Sequence, residues 1–327
     1  MGRFICAETP GNADVLQLRE RPTPNPAAGQ VVVSQTKMGL NFLDVYQTSG
    51  VYPFPEKDVF VPGNEGVGRV LAVGEGVTSF KEGDRVGYPM AVGAFAEERV
   101  IAADRLVHLP EEISDDMAAA SMLKGMTVEY LLNRSVPLQA GDKVVFHAAA
   151  GGVGLLAGQW LRAMGIEAIG TAGSAEKCAL AKEAGYDHVI NYTEENFVEV
   201  VKDITGGKGV RAVYDSVGKD TYPGSLQVLQ NCGYFIAFGQ SSGMIKDFKL
   251  GDLASNGSLY AQRPTLATYI ATNAQLSETA NNLFAMLGSG KLNVSVNQRY
   301  DLADTADAFR ALTGRQTTGV TLIETGL

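Results

Sequence analysis

A short apolar strand, a turn of very small residues and the start of a helix follow one another in VVFHAAAGGVGL, residues 144–155. Small side chains let backbone N–H groups approach a phosphate at a helix N-terminus, where the helix dipole also favours an anion. In the G-x-G-x-x-G template, Ala149 takes the first place and Gly151 and Gly154 take the others. Such a turn can also serve only the close packing of a helix on a strand. Its position at the head of a series of strand–helix units favours a dinucleotide site.

Strands and helices alternate after this turn at a spacing of about 20 to 25 residues, which is typical of a doubly wound parallel sheet. The pattern predicts strands over residues 143–147, 167–171, 188–191, 210–214, 234–238 and 258–261. It predicts helices over residues 155–164, 175–184, 194–204 and 221–230, and one long helix over residues 266–287.

The first 120 residues have a different rhythm, in which Gly and Pro separate short strand-like runs. Examples of these runs are residues 31–33, 68–73 and 85–88. Many short strands between turn residues are typical of a barrel or a sandwich. The predicted fold class is therefore α/β, with a Rossmann-type doubly wound parallel sheet and a separate β-rich domain.

The end of the second strand of the sheet indicates which dinucleotide is bound. In NAD sites this strand usually ends in Asp or Glu, which binds the ribose 2′-hydroxyl. Here the sequence is GTAGSAEK, residues 170–177, with no acid at the strand end and Lys177 in the following turn. A small, uncharged strand end leaves room for a 2′-phosphate that Lys177 would neutralise, which favours NADPH over NADH. The alternative is an ordinary surface pair of Lys177 with Glu176.

Composition excludes several classes of protein. The 327 residues carry 27 basic and 36 acidic side chains, a net charge of −9, so no nucleic-acid partner is expected. No apolar run approaches the roughly 18 residues of a membrane span, so no membrane association is expected. The three cysteines are too scattered for a disulfide framework, which favours a reducing, cytoplasmic location.

The inventory of metal-ligand residues points to chemistry without a metal. Only three histidines occur, His108, His147 and His188, and neither HxxxH nor CxxC spacing is present. His147 is interpreted as a packed imidazole rather than a catalyst. Hydride transfer needs neither a metal nor a covalent nucleophile when the acceptor is already electrophilic. A quinone or an activated alkene fits this requirement.

Several further motifs carry a family resemblance. They are, in chain order, GLNFLDVY (residues 39–46), PGNEGVG (62–68), KGMT (124–127), VYDSVG (213–218) and GSLY (257–260). Together with the glycine turn, they resemble the zeta-crystallin-like NADPH:quinone oxidoreductases, zinc-free members of the medium-chain dehydrogenase/reductase superfamily. The resemblance covers nearly the whole chain.

The resemblance implies a GroES-like catalytic domain of residues 1–123, a Rossmann NADPH-binding domain of residues 124–265 and a C-terminal segment, 266–327, that returns to the catalytic domain. Zinc-dependent relatives have Cys where Asn41 stands and His where Asn64 stands. The resemblance therefore implies a zinc- and flavin-independent reductase. It also implies a homodimer, joined through the edge strand near residues 258–261.

Site residues are carried over by position. The resemblance places Asn41, Tyr46 and Tyr52 at the acceptor site as candidate catalytic residues, with Asn41 or Tyr46 orienting the acceptor oxygen and protons arriving through water. The implied NADPH contacts are Asn41, Tyr46, Thr127, Tyr130, Gly151, Gly152, Val153, Gly173, Lys177, Tyr192, Ser216, Phe238, Gly239, Ser241, Arg263 and Arg315.

The function that these observations favour is NADPH-dependent reduction of small quinones. Two alternatives stay open at this point. One is an NADPH-dependent reductase of α,β-unsaturated carbonyl compounds, which the same pocket without a catalytic acid would support. The other is a non-enzymatic NADPH- or RNA-binding protein, because a shared fold does not fix a function.

Overall fold

The computed structural model describes residues 1–54 and 59–327. Contacts divide the chain into two compact units. The first consists of Met1–Met126, Ile270–Ser289 and Val294–Leu327, and the second of Thr127–Tyr269 and Gly290–Asn293.

The strands are, in chain order, β1 Gly2–Cys6, β2 Gln17–Arg21, β3 Gln30–Gly39, β4 Glu65–Val73, β5 Arg85–Pro89, β6 Glu98–Ala102, β7 Val107–His108, β8 Lys143–Phe146, β9 Glu167–Ala172, β10 His188–Asn191, β11 Val210–Asp215, β12 Leu229–Ala237, β13 Tyr260–Gln262, β14 Val296–Asp301 and β15 Val320–Glu324. The α-helices are α1 Phe42–Thr48, α2 Asp115–Asn133, α3 Gly152–Met164, α4 Ala175–Glu183, α5 Phe197–Thr205, α6 Tyr222–Gln227, α7 Leu250–Ser255, α8 Leu266–Tyr269, α9 Asn273–Gly288 and α10 Thr305–Thr313.

The second unit is built on a parallel sheet with the strand order β10-β9-β8-β11-β12-β13. In its centre, Val145 pairs with Ile169 on one side and Val213 on the other. All three side chains are fully buried, as is typical of a parallel sheet covered on both faces. The order is that of the dinucleotide-binding fold, with its first strand at the centre. The predicted doubly wound sheet is confirmed.

The glycine turn between β8 and α3 is shaped by close packing. A Cβ atom on Gly154 would overlap the carbonyl oxygen of Ala148 and lie 2.6 Å from that of Ala149. The Tyr186 hydroxyl donates a hydrogen bond to the Gly154 carbonyl at 2.8 Å, which holds the helix against the sheet. Ala148 itself has a φ of 56°, in the left-handed region. Only very small residues fit this turn.

Several details of the predicted elements are wrong. Helix α3 begins at Gly152, three residues earlier than predicted, and α6 ends at Gln227, three residues earlier than predicted. The long helix over residues 266–287 is two helices, because Thr272 accepts a hydrogen bond from the Gln275 N–H and so begins α9 as its N-cap. Helix α5 begins three residues later than predicted because Asn196 caps it by accepting from the Val198 N–H. Strand β12 begins at Leu229, five residues earlier than predicted.

The sequence pattern did not indicate α2. This 19-residue helix is almost entirely buried and has apolar residues on every side, so it lacks the stripe that marks an amphipathic helix. It also contains Gly125, which lowers helix propensity. Among the helices of the described residues, none is both long and apolar enough to cross a membrane.

The first unit is β-rich. Its main sheet has the order β14-β15-β3-β4-β5-β7, with β6 also paired to β3, and β1 and β2 form a separate pair. Strand β15, near the end of the chain, is antiparallel to β3, with Leu322 opposite Gly39. The Leu40 N–H donates to the Thr321 carbonyl at 3.1 Å. These contacts fix the direction in which the chain leaves β3 toward α1.

Candidate nucleotide and acceptor sites

Predicted nucleotide contacts of the second unit lie mainly after the carboxyl ends of the parallel strands. Ligands bind at this edge in open α/β sheets. They are Gly151, Gly152 and Val153 after β8, Gly173 and Lys177 after β9, Tyr192 after β10, Ser216 after β11, Phe238, Gly239 and Ser241 after β12, and Arg263 after β13. Thr127 and Tyr130 lie on α2.

The turn before α3 fits a phosphate. Gly151 is the N-cap of this 13-residue helix and is exposed. A Cβ atom on Gly151 would have only the Ala148 carbonyl oxygen near it, at 3.3 Å. The N–H groups of the first helical turn have no carbonyl partner within the helix. The glycine turn therefore presents backbone donors and the positive end of the helix dipole to open space.

The segment after β9 combines the features of a 2′-phosphate site. Strand β9 ends without an acidic side chain, and Ser174 caps α4 by accepting a hydrogen bond from the Lys177 N–H at 3.2 Å. The Tyr192 hydroxyl would lie 2.5 Å from a Cβ atom on Gly173, so the glycine lets this half-exposed ring approach the backbone. Gly173, Ser174, Lys177 and Tyr192 are thus brought together.

Other predicted contacts of the second unit are placed as follows. The Ser241 N–H donates to the Ser216 carbonyl at 3.1 Å, which joins the loops after β11 and β12. Tyr130 is buried, and its ring stacks on Tyr269 with centroids 4.4 Å apart. Arg263 is exposed and donates to the Pro264 carbonyl. Contacts of these residues with a nucleotide stay predictions.

In the first unit, Asn41 is held by the protein itself. It is the N-cap of α1, and its Nδ2 atom donates to Glu65 Oε1 at 2.8 Å and to the Gly39 carbonyl at 3.2 Å. Because both partners only accept hydrogen bonds, both N–H groups of the amide are engaged. To donate to an acceptor oxygen, Asn41 would first have to break one of these bonds.

The carboxylate that holds Asn41 belongs to a buried ion pair that the sequence reasoning missed. Lys124 Nζ lies 2.9 Å from Glu65 Oε1, and the Leu123 N–H donates to Oε2 at 2.7 Å. The two side chains are only 7% and 0% exposed. Room for Glu65 depends on Gly39, because a Cβ atom there would overlap the carboxylate. The motifs NEGVG and LKGMT each contain one charged residue among uncharged ones. These two isolated charges of opposite sign are the signal in the sequence that could have revealed the pair.

A second buried carboxyl, Asp44, lies in the same cluster. Its oxygens accept hydrogen bonds from the Asn41 N–H at 2.8 Å and from Asn64 Nδ2 at 2.6 Å. Burial raises the pKa of Asp44 to about 7, and the charge of Glu65 contributes in the same direction. The two hydrogen bonds and Lys124 oppose this shift. Asn41 and Asn64, where the resemblance implied the loss of zinc ligands, thus carry amides that donate to carboxylates.

Tyr46 and Tyr52 lie together. The Tyr52 N–H donates to the Tyr46 carbonyl at 3.0 Å, and their rings meet edge to face with centroids 5.7 Å apart. Phe42, 37% exposed, extends the row, with its ring centroid 6.1 Å from that of Tyr46. Arg315 follows α10 and has a φ of 57°, in the left-handed region. Within the ranges 1–54 and 59–327, no group of three or more His, Cys, Asp or Glu could hold a metal ion.

Comparison with known proteins agrees with this architecture. Residues 27–111 match the family of the alcohol dehydrogenase GroES-like domain, and residues 152–284 match the zinc-binding dehydrogenase family. These two matches place the chain in the medium-chain dehydrogenase/reductase superfamily.

Full-length relatives narrow this class. A quinone oxidoreductase of Salmonella typhimurium is 46% identical over 316 residues, 96% of each chain. The structure of Escherichia coli quinone oxidoreductase complexed with NADPH has a TM-score of 0.96 and 45% identity, over 99% of this chain and 100% of that one. A 2-haloacrylate reductase of a Burkholderia species is 39% identical over 94% of this chain and 95% of its own. The chain belongs to the quinone oxidoreductase family, as the sequence motifs predicted.

Proposed function

We propose that the protein is an NADPH-dependent quinone oxidoreductase that needs neither zinc nor flavin. The observation that carries the cofactor assignment is the segment after β9, where a strand end without an acid meets Ser174, Lys177 and Tyr192. The similarity to an oxidoreductase whose structure contains NADPH supports the same assignment.

The residues of the second unit would hold NADPH. The glycine turn, Gly151 to Val153, would bind the pyrophosphate, and Lys177 with Tyr192 would bind the 2′-phosphate. When bound, NADPH supplies the hydride that reduces the acceptor. We also propose the division into a catalytic domain (residues 1–123), a nucleotide domain (124–265) and a returning C-terminal segment (266–327), which the pairing of β15 with β3 supports.

The aromatic residues of the first unit would form the acceptor site. Tyr46 and Tyr52 provide apolar ring surface beside polar hydroxyl groups, which suits a flat quinone. Asn41 is held by Glu65, so it would position the loop before α1 rather than donate to the quinone oxygen. Protons for the hydroquinone would arrive through water. The amide donors and the Lys124 ammonium around Glu65 support a site that works without zinc.

Reduction of an activated alkene is the second candidate. The relative that is named a 2-haloacrylate reductase favours it, because that name describes reduction of a carbon–carbon double bond next to a carboxylate. Both reactions need an electrophilic acceptor and the same nucleotide site. They differ only in the acceptor that the first unit selects.

We further propose a homodimer in the cytoplasm. Strand β13 lies at the edge of the parallel sheet with all three of its residues exposed, including Tyr260 at 55%. An exposed edge can pair with the same strand of a second copy. Cys6, Cys178 and Cys232 are free thiols, a state that a reducing compartment preserves.

The acceptor assignment is tested with purified protein treated with a chelator. NADPH oxidation is followed with 1,4-benzoquinone, 9,10-phenanthrenequinone and 2-hexenal as competing acceptors. We expect quinone-dependent turnover that survives the chelator. Turnover with 2-hexenal alone would establish the second candidate instead.

The cofactor assignment is tested with Lys177→Ala. Loss of one charge-assisted bond to the 2′-phosphate is expected to weaken NADPH binding by roughly 10- to 100-fold and to leave NADH binding unchanged. Lys182→Ala, on the same helix and closer to its C-terminus, is the matched control. Equal weakening of both nucleotides by Lys177→Ala would refute the role in 2′-phosphate binding.

A further inference from the structure

A chain of hydrogen-bonded polar side chains is buried beneath the strand ends of the second unit. His147 directly follows β8, and its Nδ1 atom lies 2.9 Å from Oγ1 of Thr171 on β9. Its Nε2 atom lies 3.0 Å from Oγ of Ser225 on α6, which in turn lies 3.1 Å from Oδ2 of Asp215 at the end of β11. The chain therefore joins three neighbouring strands and one helix.

The partners of Ser225 decide which imidazole nitrogen carries the hydrogen. Besides His147, the Ser225 hydroxyl contacts Asp215 Oδ2 and the Thr221 carbonyl, at 3.1 and 2.9 Å, and these two oxygens act as acceptors. The single hydroxyl hydrogen must go to one of them, so the His147 Nε2 atom must be the donor to Ser225.

The other end of the chain follows from this assignment. Burial lowers the pKa of His147, although the charge of Asp215 opposes the shift, so the imidazole is neutral. With its hydrogen on Nε2, the Nδ1 atom is an acceptor and takes the hydroxyl hydrogen of Thr171. Asp215 also accepts hydrogen bonds from the Val217 and Gly218 N–H groups, at 2.8 and 2.9 Å.

This arrangement is not a nucleophilic triad. The serine lies between the carboxylate and the imidazole, whereas a triad needs the imidazole between the carboxylate and the nucleophile. The four hydrogen-bonded side chains are also too deeply buried to touch a substrate. Each of them is at most 2% exposed: Asp215, Ser225, His147 and Thr171. The chain acts on its surroundings only by fixing their positions.

We propose that His147 is a positioning residue of the nucleotide site, a neutral imidazole protonated on Nε2 that fixes the end of β9 and the loop after β11 relative to the glycine turn. The inference rests on the proposed NADPH site, because three of the four hydrogen-bonded residues lie close in sequence to a predicted contact. Thr171 is two residues before Gly173, and Asp215 is one residue before Ser216. His147 itself opens the turn that leads to Gly151.

The protonation state is tested by NMR of protein labelled with ¹⁵N-histidine. Only three histidines contribute signals, and His147→Gln assigns the one of interest. We expect a neutral Nε2–H imidazole that does not titrate at about pH 7 and above, because burial lowers the pKa of His147. Thr171→Val is nearly isosteric and should shift the Nδ1 resonance of His147 most strongly. An Nδ1–H tautomer, or titration over this range, would overturn the proposal.

The positioning role is tested by NADPH binding, measured by the fluorescence of the bound nucleotide. His147→Gln and Thr171→Val each remove the bond to β9, and each is expected to raise the NADPH Kd by roughly 3- to 10-fold without changing the KM of the quinone. His188→Gln, on an exposed histidine of β10, is the control and should bind NADPH normally.

Outcomes of the two experiments separate the inference from the proposed function. An unchanged NADPH Kd in both variants, with only thermal stability reduced, would show that the chain is merely structural and overturn the positioning role. If the wild-type protein bound no NADPH, the proposed function would fail and the positioning role with it, while the NMR tautomer would still report on the chain.

Discussion

The buried pair of Lys124 and Glu65 gives the sharpest prediction on stability. In Lys124→Met the carboxylate keeps the donors from Asn41 and Leu123 but loses the ammonium group at 2.9 Å. Because both side chains are almost fully buried, water cannot replace that partner. Removing one member of a buried pair typically costs about 3–5 kcal/mol. For a unit of this size, this corresponds to a fall in Tm of roughly 6–20 °C.

Differential scanning calorimetry is the appropriate assay. The single tryptophan, Trp160, lies in the second unit, so its fluorescence would not report on the unit that contains the pair. Lys37→Met is the matched control, because Lys37 pairs with Asp116 and Glu324 in the same unit but is 25% exposed. Its loss is expected to cost about 1 kcal/mol or less.

A double variant separates pairing from packing. In Lys124→Met with Glu65→Gln, no charge is buried, but the glutamine can accept only one of the two hydrogen bonds from Asn41 and Leu123. We therefore expect part of the loss, up to about 2 kcal/mol, to be recovered. If Lys124→Met cost no more than Lys37→Met, or the double variant recovered nothing, the assignment of a buried, mutually dependent ion pair would be refuted.

Three further predictions concern the glycines and Asp44. Gly154→Ala should lose about 1–3 kcal/mol of unfolding free energy, because rigid backbone carbonyls oppose the new methyl group. Gly151→Ala should keep its unfolding free energy but bind NADPH more weakly. Equal Tm values for the two variants in calorimetry would contradict this contrast. Gly173→Ala should displace the half-exposed Tyr192 hydroxyl, so a titration should show an NADPH Kd raised several-fold with an almost unchanged Tm. An unaltered Kd would count against Tyr192 as a nucleotide contact. The pKa of Asp44 is raised from 3.8 to about 7 in the folded protein, so the folded protein binds an extra proton between these pH values. Its unfolding free energy should therefore fall as pH rises from about 4 to about 7. The same slope in Asp44→Asn would assign the effect to another group.

Local patterns were sufficient to predict the parallel sheet of the second unit. The run of apolar residues before the turn indicated β8 as a buried strand, and the small residues of the turn indicated that a helix follows, although α3 begins at Gly152, three residues earlier than predicted. The absence of an acid at the end of β9 was equally local. By contrast, α2 has no polar face and was invisible to periodicity, and the start of α9 depended on a single cap at Thr272.

Long-range pairs could not be predicted from the same patterns. Lys124 and Glu65 are 59 residues apart, and Ser225 is 78 residues from His147. Residues so far apart in sequence are not related by the periodicity of a single helix or strand. Only the folded arrangement of several elements brings these groups together. For this reason the sequence identified Asn41 as an acceptor contact, while the structure shows that its amide donors are engaged by Glu65 and Gly39.

The central claim, that NADPH reduces a quinone on this protein without a metal or a flavin, is tested most directly by a single turnover. Chelator-treated protein loaded with one equivalent of NADPH is mixed with 1,4-benzoquinone, and the bound nucleotide and the hydroquinone are both quantified. We predict one hydroquinone for each NADPH consumed, and no such consumption when 1,4-benzoquinone is omitted. Bound NADPH that survives the quinone, or a reaction that the chelator abolishes and zinc restores, would contradict the claim.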